Sequence, residues 1–327
     1  MRRVFLFRVL CLSLPLVLGS PSPVPAQSSG SERPVFDTAR ETFITAGEMM
    51  GRLREADVVY VGETHTDHAH HLAQREVLEA LDMGPRRVVM AWEMFHASQQ
   101  PLLDAYTGGW LPEVEWRDAI YWEHTWGHPY PYYTPLLDYA REHAVRIFGL
   151  NAPRSVVRAV RTEGEENIGE DEAYWLPAGF WDRILRDEEA EYRTWFEQAA
   201  AAHGAEPDSA FEAGMFASQT AWNEIMAWNV VKVFNVVPDE DLQVLVVVGS
   251  GHAIFGQGIP TRVPLFMEGL DQVVVMPRTG DVMTRDQILE EGMEAEGDYL
   301  WFVPPAEEPP GVGEPESGTP PPGPPPK

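Results

Sequence analysis

The stretch Val58-Val59-Tyr60-Val61-Gly62-Glu63-Thr64-His65 decides the fold. Four consecutive β-branched or aromatic residues suit a strand covered on both faces, and the Gly-Glu-Thr-His that follows sets polar chemistry at its carboxyl end. The pattern recurs. Val88-Val89-Met90-Ala91 runs into Glu93-Met94-Phe95, and Val145-Arg146-Ile147-Phe148 into Gly149-Leu150-Asn151-Ala152-Pro153. Val244-Leu245-Val246-Val247-Val248 ends in Gly249-Ser250-Gly251-His252, and Val273-Val274-Val275 is a fifth run. Between them Ala69, Ala73, Val77 and Ala80 repeat at helical spacing, as do Leu136, Leu137 and Ala140. This alternation predicts an α/β fold: a mostly parallel central sheet with flanking helices and right-handed crossovers. Residues 154–235 interrupt it with helical segments, read as a helical insertion or lid. Its best helix, over 219–234, places Trp222, Ile225, Met226, Asn229 and Val233 on one face.

Outside this core the composition changes. Arg2, Arg3 and Arg8, the apolar run 9–18 and Val24-Pro25-Ala26 read as an export signal over 1–26, too short for a spanning helix. A lipoprotein anchor is not expected, because Leu10 rather than a small residue precedes Cys11. Cys11 is the one cysteine of the chain, so removing the signal leaves no disulfide and no cysteine nucleophile. Residues 27–34 read as a linker. From 304 to 327, 11 of 24 residues are proline, which offers little apolar surface to offset ordering entropy and predicts a disordered tail. One α/β domain over 35–303 remains, with no internal repeat. Fifty-one acids against 24 bases give a net charge of −27, which excludes a broad nucleic-acid footprint and disfavours anionic membranes. With no further apolar run long enough to span a bilayer, the expectation is a soluble protein of the periplasm or the extracellular space.

In an open parallel sheet the strand carboxyl ends share one edge, and ligands bind in the crevice beyond it. Glu63, His65, Glu93 and His252 therefore converge as a candidate catalytic or metal site. Two carboxylates and two imidazoles suit a divalent Zn, Mn or Fe ion. Competing readings stand beside this one: Glu63 and Glu93 as helix caps or salt-bridge partners, His252 as a turn histidine bonded to backbone. In the cluster Thr64 to His71, Asp67 suits a helix N-cap. Of His68, His70 and His71, one is expected near the site and the others solvated; His71 is the choice. The dinucleotide fingerprint, the nucleophile elbow, the Walker A sequence and H-E-x-x-H are all absent. A further region, Tyr121 to Tyr133, is dense in aromatics and is either a packed loop or a flat ligand platform with a Tyr or His for iron.

Taken together, Gly62-Glu63-Thr64-His65 with His71 and Gln74, Trp92-Glu93-Met94-Phe95 with Gln100, and Trp126 to Tyr133 with Pro135 resemble the ChaN family. So do Asn151-Ala152-Pro153-Arg154, Gln219-x-x-Trp222-Asn223-Glu224, and Gly249-Ser250-Gly251-His252 with Gly258-Ile259-Pro260. The resemblance covers about 43–265 and extends to the Tiki and erythromycin-esterase superfamily. It implies haem binding connected with iron uptake, with Glu63, His65, Glu93 and His252 as the superfamily's two G-x-x-H motifs and acidic partners. His71, Asn151, Gln219, Asn223 and Glu224 would stand beside them, Asn223 where the family often carries Asp. Trp126, His128, Tyr130, Tyr132 and Tyr133 become haem-contact candidates. Two functions then compete: an exported haem- or iron-binding protein, and a metal-dependent hydrolase of an ester or peptide bond. Their small-molecule partners are haem or such a substrate, and a homodimer is left open.

Overall fold

The apolar runs become the middle of one eight-stranded sheet. A computed structural model describes residues 33–184, 190–202, 204, 206, 209–239 and 241–312. Its strands are β1 (Pro34–Asp37), β2 (Thr42–Thr45), β3 (Val58–Glu63), β4 (Arg87–His96), β5 (Ile147–Asn151), β6 (Leu242–Gly249), β7 (Gln272–Thr279) and β8 (Tyr299–Val303). Their order is β2-β1-β8-β7-β3-β6-β4-β5. From β8 to β5 every neighbouring pair is parallel, and β1 is antiparallel to both of its neighbours, β2 and β8. Thirteen α-helices among the described residues flank the sheet, so the α/β architecture stands.

Both faces of the sheet are covered, which is why the strands read as unbroken apolar runs. On one face Val59, Val61, Met90, Trp92, Leu245 and Val247 meet Ala73, Val77 and Leu81 of helix His68–Asp82 and Leu136, Leu137 and Ala140 of helix Thr134–Glu142. On the other Val58, Tyr60, Val89, Ala91, Val244, Val246 and Val248 meet Met226, Val230 and Val233 of helix Ala210–Val236. Asp67 caps helix His68–Asp82 by accepting from the Ala69 N–H at 3.0 Å.

The helical insertion spans the connection from β5 to β6, and its last helix lies on the sheet, with Gln219 and Asn223 reaching the carboxyl ends of the strands. Helix Ala210–Val236 is enclosed on both sides, with Ala221 and Ile225 packed against Val156, Val160 and Phe180 of the shorter helices. Three strands escaped the sequence reading, β1, β2 and β8, and all three lie at the same edge of the sheet. The proline-rich segment also begins in contact with the body. Pro309 is buried, Ala306 and Val312 pack on the core, and the Tyr132 hydroxyl donates to Glu308. The nine described residues past the boundary expected at 303 thus set apolar groups against the core. The export-signal reading (1–26), most of the linker (27–32) and the rest of the tail (313–327) lie outside the described residues. No helix among the described residues is long and apolar enough to cross a membrane.

Winding places the crevice. After β3 the chain moves to one side for β4 and β5, returns to β6 beside β3, then continues on the other side as β7 and β8. The direction reverses next to β3, at the carboxyl ends of β3 and β6, and in register Glu63 pairs with Gly249.

Candidate functional site

Both G-x-x-H segments are explained by close approach. A Cβ on Gly62 would lie 2.8 Å from Met276 Sδ and 2.9 Å from Ser250 Oγ, so β-strand ends can abut only without one. A Cβ on Gly249 would lie 2.8 Å from His65 Cε1, so the His65 ring rests on bare backbone. Glu93 sits where the β4–β5 register shifts between Trp92 and His96, an irregularity that re-aims side chains near the sheet edge.

The four residues expected to converge do so as two carboxylate–imidazole pairs. Glu63 Oε1 is 2.8 Å from His65 Nδ1, while Glu63 Oε2 accepts from Gln74 Nε2 at 2.9 Å and lies 3.4 Å from His71 Nδ1. Glu93 Oε2 accepts from the Gly249 N–H at 2.6 Å, and its Oε1 is 3.3 Å from His252 Nε2. His252 Nδ1 donates to Asn223 Oδ1 at 2.6 Å, which orients the ring toward Glu93. His252 is thus a buried, doubly tethered group rather than a turn histidine bonded to backbone. Asn223 is itself held by donating from Nδ2 to the Tyr192 hydroxyl at 3.0 Å, and Tyr192 donates to the Gly251 carbonyl at 2.9 Å.

Burial alone would raise both carboxyls. For Glu63, the opposing pull of His71 and His65 and the bond from Gln74 leave the carboxyl below its ordinary value. For Glu93, burial is outweighed by His252, His65 and the Gly249 N–H, which bring the carboxyl down to about 2. His65 shows the reverse balance. Burial lowers it, yet the bond to Glu63 and the charge of Glu93 raise it above the ordinary histidine value.

The remaining expected residues divide. His71 is fully buried, donating from Nε2 to the His65 carbonyl at 3.1 Å, and Asn151 Nδ2 reaches the Glu93 carbonyl at 3.3 Å. Gln219 Nε2 donates to the Gly251 carbonyl at 3.0 Å. Glu224 belongs elsewhere: it is buried in ion pairs with Arg183 and Arg262. His70, expected to be solvated, is buried, because its Nδ1 accepts the Thr64 N–H at 2.9 Å.

A cavity of about 280 Å³ opens beside the pairs, lined by His65, Glu93, His252, Asn151 and Gln219, and by Trp126 and His128 from the aromatic segment. His96 and Arg154 also line it. His96 was missed in the sequence, although its place at the end of β4 was a usable signal. Tyr192 was missed with no local signal at all. The three tyrosines do not line the cavity. Tyr130 donates to Glu113, Tyr132 to Glu308 and Tyr133 to the His65 carbonyl, and their rings pack among Trp92, Trp116, Trp122 and His71. Most of the aromatic segment is thus core, and Trp126 and His128 alone of the five haem-contact candidates line the cavity.

His128 packs against His65 and Trp126 with ring centroids 4.9 and 5.4 Å away, and its ring makes no hydrogen bond among the described residues. Burial, reinforced by the neighbouring His65, brings its pKa down to about 4. At neutral pH it is an uncharged imidazole with its nitrogens uncommitted.

No curated protein matches the sequence. Among solved structures, the chain is similar to ChaN of Campylobacter jejuni, described as binding haem cofacially: TM-score 0.64 and 20% identity over 83% of this chain and 97% of that one. It is also similar to a mutant of the erythromycin esterase EreC in its open conformation, with TM-score 0.50 and 10% identity over 86% of this chain and 99% of that one. Both likenesses speak to the fold. The family model described as haem-binding uptake, Tiki superfamily, ChaN, matches residues 49–263. That match spans β3 to β6, four of the eight strands, and every residue around the cavity, and the chain belongs to the ChaN family of the Tiki superfamily.

Proposed function

We propose that this protein binds haem at the mouth of the cavity and serves iron uptake or handling. The observation that carries the reading is His128, a neutral and hydrogen-bond-free imidazole beside the Trp126 indole, in a chain of a haem-binding family. Neutral imidazole is the form that ligates iron. The tyrosines are less suited, since burial pushes the phenols of Tyr130 and Tyr133 up and away from phenolate. The cavity, at about 280 Å³, falls just below the roughly 300–1,000 Å³ of pockets that enclose a ligand, so a porphyrin would cover its mouth rather than enter it. Trp126 would meet the ring face, and Arg154, whose Nη2 donates to the Trp126 carbonyl at 3.3 Å, would supply a cation for a propionate. Bound haem would bring an iron centre that His128 would hold through a ring nitrogen. Action outside the cytoplasm is part of the proposal and rests on the export-signal reading of 1–26.

Titrating purified protein with haemin tests it. A saturable Soret shift is expected, weakened about tenfold or more in His128→Ala. The absence of any shift at micromolar haemin overturns it.

The paired carboxylates and imidazoles support a second reading of the same cavity, hydrolysis of an ester or peptide bond. A carboxylate that orients an imidazole toward a cavity is an arrangement for moving protons from water. It suits a bare divalent ion less well, because Glu63 Oε1 and His65 Nδ1 face each other and both Glu93 oxygens already have partners. Turnover of p-nitrophenyl acetate that vanishes in His65→Ala would favour this reading, and equal background rates for both proteins would remove it.

A further inference from the structure

A second concavity, of about 580 Å³, lies at the β5 edge, away from the carboxylate–imidazole pairs. Its walls are aromatic: Trp228 on helix Ala210–Val236, Phe148 on β5, and Tyr174 with Trp175 from the insertion. Tyr174 is 76% exposed, although a large apolar ring gains by burial. The charged residues lining it are Arg146 and Lys232, and no carboxylate is among the lining residues. In a chain with 51 acids and 24 bases that is an unusual local balance. By contrast, Glu93 lines the cavity at the strand ends, and Glu113, Asp118 and Glu123 line the groove beside Tyr121.

The two cations are not equivalent. Arg146 donates from Nε and Nη2 to Asp104 at 2.7 and 2.9 Å and lies 4.5 Å from the Phe148 ring centre. Lys232 is paired with no carboxylate among the described residues; its Nζ stands 3.2 Å above the Trp228 ring centre. A cation over an indole in an aromatic groove is half of a recognition site, because the ring holds the ammonium in place while its charge remains unmatched. The matching ligand is flat, apolar and negatively charged at one end.

We propose that this groove binds an aromatic carboxylate, its ring against Trp228 and Trp175 and its carboxylate on Lys232. The volume lies within the range of pockets that take small organic ligands. The site is independent of the haem reading, since none of its residues lines the other cavity.

Equilibrium dialysis with 2-naphthoate tests the proposal on the full-length protein. One equivalent should bind, with affinity reduced about tenfold in Lys232→Glu and largely kept in Lys232→Arg. Uncharged 2-naphthylmethanol should bind about tenfold more weakly than the carboxylate. Trp228→Ala should lose binding, while His128→Ala should leave it unchanged, which separates this site from haem. No binding at millimolar naphthoate, equal binding of the alcohol, or indifference to Lys232→Glu would each overturn it.

Discussion

Replacing Glu93 by Gln removes one negative charge while keeping the shape of the side chain and a carbonyl for the Gly249 N–H. The structure brings this carboxyl from 4.5 to about 2, with burial opposing and His252, His65 and the Gly249 N–H prevailing. At about 1.4 kcal/mol for each tenfold change in acidity, the ionised form contributes roughly 3 kcal/mol to folding. The sign follows from the two limits. Above pH 4.5 the carboxyl is ionised in both the folded and unfolded chain and the contribution is complete; as pH falls toward 2 the unfolded chain takes up the proton first and the contribution is lost. Urea unfolding should therefore show Glu93→Gln less stable than the parent by roughly 3 kcal/mol at pH 7, with about half of that gap left near pH 3. A gap that does not narrow between pH 7 and pH 3 would mean that packing rather than charge is at work. Equal stability at pH 7 would mean that the Glu93 charge contributes nothing to folding.

Other consequences are separately measurable. His65 should titrate above pH 6.5 by NMR and move down in Glu63→Gln, since the Glu63 bond is the largest influence raising it; its stabilising effect is present below 6.5 and fades as pH rises through the folded value. A parent midpoint at or below 6.5 would contradict this. Gly249→Ala should cost about 1–3 kcal/mol in thermal or urea unfolding, because its Cβ would meet the His65 ring at 2.8 Å. Gly51→Ala, inside helix Ala46–Leu53 with nothing within 4 Å, should instead stabilise by about 0.5–1 kcal/mol. Opposite signs are required, and a neutral Gly249→Ala would remove the close-approach argument. In haemin titration, Tyr132→Phe should bind like the parent, because the Tyr132 ring is buried and its hydroxyl serves Glu308; a tenfold loss would return Tyr132 to the candidate ligands.

What could be read from the sequence follows from how local each signal is. Glu63, His65, Glu93 and His252 were legible because each stands at the end of an unbroken apolar run, and a parallel sheet gathers those ends at one edge. β1 and β2 are four residues long; most of β2 is exposed, and in β1 the buried Val35-Phe36-Asp37 is too short a run, and ends in an acid, to read as a strand. Tyr299-Leu300-Trp301-Phe302-Val303 does show one, but it adjoins the proline-rich segment, and its two partners, the parallel β7 and the antiparallel β1, are both remote in sequence. The aromatic segment misled for a physical reason. Tyr130 and Tyr133 each combine a ring that packs into the core with a hydroxyl satisfied by Glu113 or a carbonyl, and nothing in a run of tyrosines distinguishes that from a ligand platform. Tyr192, which steadies both Asn223 and the Gly251 carbonyl, acts across 59 residues of chain, beyond any local pattern.

Everything proposed for the cavity depends on this chain carrying haem, with His128 as the residue that would hold the iron. Iron analysis together with the absorption spectrum of protein purified from the cells that make it tests this directly. Iron accompanied by a Soret band is expected, both diminished in His128→Ala. Stoichiometric zinc or manganese without a Soret band, or protein that remains colourless after exposure to haemin, would contradict it.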